Sequence, residues 1–304
     1  MPMRFATLIS RHLSTASSKP QVLRDADTLR AALRMLRAEG GRVALVPTMG
    51  NLHAGHLELV RLAARRAEHV VVSIFVNPLQ FGPDEDFDRY PRTLGDDLEA
   101  LAGIGQNLQV FAPSTAVLYP DGPELASRVE VGGLSDILCG ASRPGHFTGV
   151  ATVVLKLLNL VQPERAVFGR KDYQQWQVIQ RMVRDLDVPV SIDAGETVRE
   201  ADGLALSSRN RYLTPAERRQ APRLYQVLGE LARAVEAGDH DLVALERRGS
   251  AALTAAGMRP DYVSIRCQEG LRVPTPADRD LVVLAAARLG DTRLIDNLEF
   301  RRPA

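Results

Sequence analysis

Residues 42–56 read RVALVPTMGNLHAGH, and the chain continues as LELVRLAARRAEH to residue 69. The run 42–47 is a short apolar strand and 56–69 is a helix with an apolar face, so the glycine-bearing stretch between them is a strand-to-helix turn. The next run, VVVSIFV (70–76), is apolar at nearly every position, as expected of a strand covered on both faces of a parallel sheet. Upstream, Asp27-Thr28 followed by LRAALRMLRAEGG predicts a capped amphipathic helix that stops at Gly40 and Gly41. Downstream come a helix opened by Thr93, a strand over 108–113, a helix over 148–161, a strand over 165–169 and a helix over 172–186. This alternation predicts an α/β fold: a Rossmann-like open parallel sheet with helices on both faces. Such sheets bind ligands at the carboxyl ends of their strands.

The texture changes after about residue 195. Residues 214–238, TPAERRQAPRLYQVLGELARAVEAG, predict one long helix with Pro215 near its start, and 241–257 predict a second. Strands follow over 261–267, 281–289 and 292–297. The expected organisation is a flexible N-terminal extension (1–20), a Rossmann-like catalytic domain (21–197) and a smaller α+β C-terminal domain (198–304).

The chain has 304 residues, 45% hydrophobic and 25% charged, with 38 Lys and Arg against 37 Asp and Glu. A net charge of +1 argues against a general polyanion binder while allowing a local basic pocket. Two cysteines, Cys139 and Cys267, are too few for a disulfide framework and lack metal-ligand spacing, which points to a reducing, cytoplasmic compartment. No apolar run reaches the ~18–20 residues of a membrane span. Residues 1–20 carry Arg4, Arg11 and Lys19, several Ser and Thr, and no acid. That composition reads either as a disordered extension or as an organelle transit peptide.

Pro47-Thr48-Met49-Gly50-Asn51-Leu52-His53-Ala54-Gly55-His56 carries the strongest chemical signal. Gly50 and Gly55 let backbone approach a ligand, and the helix start offers free N–H groups to an anion. Two imidazoles three residues apart can face one phosphate chain and stabilise charge that develops on it. As a metal site the pair supplies only two ligands. The arrangement resembles the HxGH signature of nucleotidyltransferases.

Three further segments extend the likeness: FVNPLQFGPDEDFDRYPRT (75–93), GASRPGHFTGVATVVLKLLNLVQPERAVFGRKDYQQ (140–175) and DGLALSSRNRYL (202–213), with a weaker echo in TRLIDN (292–297). Together they resemble the pantothenate synthetase family. The resemblance implies condensation of (R)-pantoate with β-alanine at the expense of ATP, through a pantoyl-adenylate, with AMP and pyrophosphate released. It also implies Mg²⁺ as cofactor and a homodimer.

Carried over residue by residue, the resemblance gives His53, His56 and Lys171 the catalytic roles, with His56 as the acid–base group because a free imidazole titrates near neutrality. Gly169, Arg170, Lys171 and Asp172 join the 47–56 turn around ATP, with Val198 at the adenine-ribose region and Leu206-Ser207-Ser208-Arg209 at the β- and γ-phosphates. Asp172 accepts a ribose hydroxyl or caps its helix. Arg170 stands where the family usually has Glu. Gln80 and Gln175 are the implied pantoate amides, since Gln both donates and accepts. Asn77 is a third pantoate ligand or a turn former. Asp96 and Asp97 read as acids favoured by a helix dipole, with Asp97 also a candidate near Mg²⁺. Arg143 and His146 lie in a family motif without an assigned role, and Tyr173 and Trp176 read as packing residues. The competing readings are AMP transfer to a different acid and a catalytically silent nucleotide-binding protein.

Overall fold

The computed structural model describes residues 19–83, 85–105 and 107–303. The N-terminal extension therefore lies outside the described residues, apart from its last two positions. Six strands, β1 (Gln21–Leu23), β2 (Val43–Thr48), β3 (His69–Ile74), β4 (Leu108–Phe111), β5 (Arg165–Gly169) and β6 (Ser191–Gly195), form one sheet in the order β1-β4-β3-β2-β5-β6. Every pairing in it is parallel. Helices α1 (Ala26–Ala38), α2 (Ala54–Ala64), α3 (Leu94–Ala102), α6 (His146–Val161) and α7 (Tyr173–Asp185) link or cover the strands, with single turns α4 (Thr115–Leu118) and α5 (Cys139–Ser142) between. The open parallel sheet is the expected one. It also holds two strands that the sequence reading omits, the three-residue β1 and the polar edge strand β6.

The order of the strands fixes where a ligand can sit. From β2 the chain runs outward to β3 and β4 on one side, then returns to place β5 and β6 on the other. The crevice between the ends of β2 and β5 is thus the switch point at which such sheets receive ligands.

After residue 213 come α8 (Pro215–Gln220), α9 (Arg223–Glu236), α10 (Leu242–Ala255) and the strands β7 (Arg259–Cys267), β8 (Asp280–Leu289) and β9 (Thr292–Arg301), which form an antiparallel sheet. The single long helix expected over 214–238 is instead two. Pro222 has no N–H to donate and starts the second helix after a break at Ala221. At the other end of the chain, Asp25 rather than Asp27-Thr28 caps α1, its carboxylate accepting the Thr28 N–H at 2.9 Å.

The central strand β8 is buried on both faces. Leu281, Val283, Ala285 and Ala287 pack with the C-terminal helices. The alternate residues Val282, Leu284 and Ala286 belong to the same apolar cluster as Leu45, Phe147 and Tyr173. The period of two thus turns one face of the small sheet toward Phe147 of α6 and Tyr173 of α7, beside the large sheet.

Candidate active site

The turn leaving β2 is held open by its own backbone and by one acid. Gly50 has φ +81°, a region that favours glycine, and a Cβ there would sit 3.0 Å from the Ile74 side chain and 3.1 Å from Oδ2 of Asp97. Asp97, on the first turn of α3 and 2% exposed, accepts the N–H of Asn51 at 3.0 Å and that of Leu52 at 2.7 Å. It lines neither chamber of the cleft described below. The magnesium role expected for Asp97 is corrected accordingly: its oxygens face loop amides, and it shapes the turn.

His53 and His56 follow at the start of α2, with ring centroids 4.0 Å apart. Nδ1 of His53 accepts the Gly55 N–H at 3.2 Å, and Nδ1 of His56 accepts the His53 N–H at 3.3 Å. A nitrogen that accepts an N–H carries no proton, so in each neutral ring the proton sits on Nε2. Burial lowers His53 to about 4, reinforced by the Lys171 charge, and lowers His56 to about 3, reinforced by His53. His56 in the free protein thus departs from the near-neutral titration of a free imidazole, on which its expected acid–base role is based. Both rings are neutral Nε2–H donors. Gly55 is required here because a Cβ would lie 2.9 Å from the His53 ring.

Across the crevice, β5 ends at Gly169 and hands over to a short 3₁₀ turn, Arg170–Asp172. The Lys171 ammonium has no hydrogen-bond or ion-pair partner among the described residues. Asp172 occupies the N-cap position of α7 but makes no side-chain cap bond, which removes the capping alternative. Arg170 departs from its expected place at ATP. It turns away from the cleft to Glu299 on β9 at 3.1 Å and to Glu196 at 3.0 Å. Tyr173, as expected a packing residue, sits edge-on to Trp176 and donates its hydroxyl to the same Glu299 at 2.8 Å.

Gln80 and Gln175 both face the cleft. Asn77 does not; it is fully buried, and of its two expected roles the turn former holds, its Oδ1 accepting the Leu79 N–H at 3.4 Å at the start of the turn Pro78–Gln80. Its Nδ2 donates to Oε1 of Gln80 at 3.1 Å and to the Gly149 carbonyl at 3.1 Å, while its Oδ1 accepts the Tyr119 hydroxyl at 2.9 Å. With Oε1 of Gln80 engaged, the Gln80 Nε2 is left to face a ligand. Gly149 is tied to this turn, since a Cβ on it would lie 2.0 Å from the Leu79 carbonyl oxygen. Arg143 and His146 now acquire a role. Arg143 donates to both oxygens of Glu85 at 2.6 Å and to the Gln80 carbonyl at 3.1 Å, and Nδ1 of His146 contacts that carbonyl at 2.8 Å. Burial pushes the Glu85 carboxyl up, but the Arg143 hydrogen bonds and charge outweigh it and hold Glu85 ionised.

The segment after β6 closes the remaining side. Val198 lines the smaller chamber, its carbonyl taken by the Leu206 N–H at 2.9 Å. Ser207 caps the turn by accepting the Arg209 N–H at 3.3 Å, and Ser208 donates to the Asn51 carbonyl at 3.1 Å. Arg209 is paired with Asp86 at 2.8 Å and stacks over Tyr90. Asp86 and Glu85, the acidic partners of the two cleft arginines, were missed in the sequence. Their signal is the acid-rich run PDEDFD (83–88).

Two adjoining chambers of about 400 and 200 Å³ result, within the size range of small-molecule sites when taken together. Both are lined by Met49, Gln80, Lys171, Asp172, Gln175, Ser207 and Arg209. Pro47, Thr48, His53, Gly55, His56 and Gly169 line the smaller one, which also takes in Leu206 and Ser208. Gly50, Asn51 and Leu52, expected at ATP, form the turn beside the wall, and Ala54, also expected there, is exposed at the start of α2; none of the four lines either chamber. The described residues contain no group of three or more His, Cys, Asp or Glu placed to hold a metal ion.

A doubly wound parallel sheet with an HxGH turn at its switch point, faced by a lysine from the next strand, defines an enzyme of the HxGH nucleotide-dependent class. The sequence model of the Pantoate-beta-alanine ligase family matches residues 21–299. A pantothenate synthetase of Pseudomonas putida strain KT2440 is 59% identical over 89% of this chain and 94% of that protein, and one of Azotobacter vinelandii is 57% identical over 89% and 95%. Among solved structures, the pantothenate synthetase of Thermus thermophilus matches with a TM-score of 0.84 at 48% identity, covering 91% of this chain and 98% of that one. The pantoate-beta-alanine ligase of Francisella tularensis, crystallised with Beta-gamma ATP and Beta-alanine, matches with a TM-score of 0.76 at 33% identity, covering 92% and 97%. The chain belongs to the pantoate-beta-alanine ligase family, and it is an enzyme that joins pantoate to β-alanine.

Proposed function

We propose that the ligation runs through a pantoyl-adenylate, with ATP bound in the smaller chamber and pantoate between Gln80 and Gln175. A pantoate carboxylate oxygen attacks the α-phosphorus, and the bond to the β-phosphate breaks to release pyrophosphate. The β-alanine amine then attacks the acyl carbon, the bond to AMP breaks, and one proton is lost. His53 and His56 donate from Nε2 to phosphate oxygens, and Lys171 supplies the positive charge opposite them as the α-phosphorus gains charge. Asp172, free of a cap, accepts from the ribose. Val198 borders the nucleoside, and Ser207, Ser208 and Arg209 border the departing pyrophosphate. The observation that carries this reading is the convergence of two neutral imidazoles and one unpaired ammonium on a single crevice.

Among the described residues no three His, Cys, Asp or Glu gather into a metal site. Asp97 is committed to amides, Glu85 and Asp86 to arginines. Mg²⁺ therefore has the nucleotide phosphates and water as its natural ligands here, and no step is assigned through it. The C-terminal domain, placed at 198–304 after a 21–197 catalytic domain, serves as a cover whose closing part is the 206–212 segment. The homodimer is what the family resemblance implies, and the cytoplasmic location rests on the two unpaired cysteines; no described helix is long and apolar enough to cross a membrane.

Pyrophosphate–ATP exchange with and without pantoate tests the reading. Exchange that requires pantoate is expected. Exchange with another acid, or none with any, would overturn it.

A further inference from the structure

The stretch Leu294-Ile295-Asp296-Asn297 on β9 is the one motif that the reaction above leaves unused. Its side chains grip both segments that flank the crevice. Asp296, 4% exposed, holds Arg199 through two contacts of 2.6 and 2.9 Å, next to Val198. Asn297, 5% exposed, donates from Nδ2 to the carbonyl of Arg170 at 3.0 Å and to that of Lys171 at 2.9 Å. A carboxamide nitrogen has two hydrogens, and both are used. The Arg170–Asp172 turn has no side-chain cap at Gly169 or at Asp172. Its backbone is therefore braced by a side chain of the other sheet.

We propose that Asn297 is a positioning residue for Lys171, fixing the turn from which the ammonium reaches the nucleotide. The inference rests on the reading of Lys171 given above. It makes the C-terminal sheet part of the apparatus that aims the lysine, in addition to covering the ligand. No other residue type of this size presents two N–H groups from one atom. Asp in its place would set carboxylate oxygens against two carbonyl oxygens, and Ala would leave both carbonyls without this donor.

The test is single-turnover adenylate formation by Asn297→Ala, Asn297→Asp and their combinations with Lys171→Ala. Misplacement of a reacting group by about 1 Å costs about 100-fold in rate. A loss of that order is expected for both Asn297 variants, with the KM for ATP and pantoate little changed. In the Lys171→Ala background the same substitutions should cost nearly nothing further, because the group they aim is gone. Losses that multiply across the double variant would reduce Asn297 to a general structural role and overturn the proposal. Asn297→Ser, which keeps one donor, should fall between wild type and Ala, and circular dichroism establishes that each variant is folded. If Lys171→Ala itself turns over normally, the proposed function fails; if it is impaired while the Asn297 variants are normal, only this inference fails.

Discussion

Oδ1 of Asp97 accepts the backbone N–H of Leu52 at 2.7 Å while its Oδ2 takes that of Asn51 at 3.0 Å, so one carboxylate on α3 holds the turn on which both imidazoles are mounted. Two amides on one buried acid fix the direction in which the chain leaves β2. They do so at and just after Gly50 and Asn51, both with positive φ, where the backbone would otherwise relax.

Asp97→Asn keeps the shape but turns an NH₂ group toward one of those amides. Hydrogen bonds to charged groups contribute ~1.5–3 kcal/mol, and a loss of that size in urea unfolding is expected. The KM for ATP should rise because the imidazoles lose their mount. The magnesium concentration for half-maximal activity should not move. A variant of normal stability with a raised magnesium requirement would return Asp97 to the metal.

The amide of Gln80 owes its orientation to Asn77, which in turn is held by Tyr119. Tyr119→Phe removes the hydroxyl and leaves the buried Oδ1 of Asn77 without its 2.9 Å donor. Oδ1 then keeps only the longer Leu79 N–H at 3.4 Å, and the lost hydrogen bond, ~0.5–1.5 kcal/mol, should lower the melting temperature. With Asn77 held less tightly, the Gln80 amide is less firmly oriented toward the ligand, and the KM for pantoate should rise while kcat changes little. Steady-state kinetics at saturating ATP decide it; an unchanged KM would separate Gln80 from pantoate.

The large sheet was legible because β2, β3 and β5 are apolar runs bounded by turn residues, and a strand buried on both faces cannot be polar. Edge strand β6, SIDAG, has no such run. It pairs along its whole length with β5, and Arg165 and Arg66 both reach its Asp193. Neither fact leaves a periodic trace in sequence. The HxGH turn and the lysine were equally legible, since packing alone seldom calls for two glycines and two histidines at a strand end. The supports were not. Nothing near Asn77 announces Tyr119, and nothing near Lys171 announces Asn297, because each pair meets only after the chain has folded. The lowered titration of His56 was illegible for the same reason: an isolated imidazole titrates near neutrality, whereas a ring packed in the cleft wall beside a second ring and a lysine does not.

Arg170, in the turn after β5, ties the large sheet's crevice to the small sheet through Glu299. The pair is partly exposed, so its contribution is expected at the low end, ~1 kcal/mol or less. Arg170→Glu would instead gather three carboxylates, with Glu196 and Glu299, and should lower the melting temperature by more than Arg170→Gln does. Adding Glu299→Arg to Arg170→Glu should restore most of the loss. Because Arg170 does not line the cleft, pantoate-dependent exchange at low temperature should stay close to wild type in both variants. A collapse of exchange in folded Arg170→Gln would place the side chain at the nucleotide after all.

The two imidazoles give a prediction with a definite sign. Folded, His53 stands at about 4 and His56 at about 3, with burial the first cause in each; unfolded, both return to 6.5. Between 6.5 and those values the unfolded chain binds more protons than the folded one, so stability is fully present above pH 6.5 and declines as the pH falls through this window. His56→Asn offers an oxygen to the His53 N–H and cannot titrate. Between pH 7 and pH 5 its melting temperature should therefore fall by less than that of the wild type, the carboxylates being common to both. Nitrogen-15 spectra of the free protein test the same point at the atoms. Both rings should show a protonated Nε2 and a bare Nδ1 from pH 8 down to pH 5, because each Nδ1 accepts a backbone N–H. A ring that titrates near 6.5 in the free protein, or one that carries its proton on Nδ1, would break the link between these hydrogen bonds and the donors that face the phosphate.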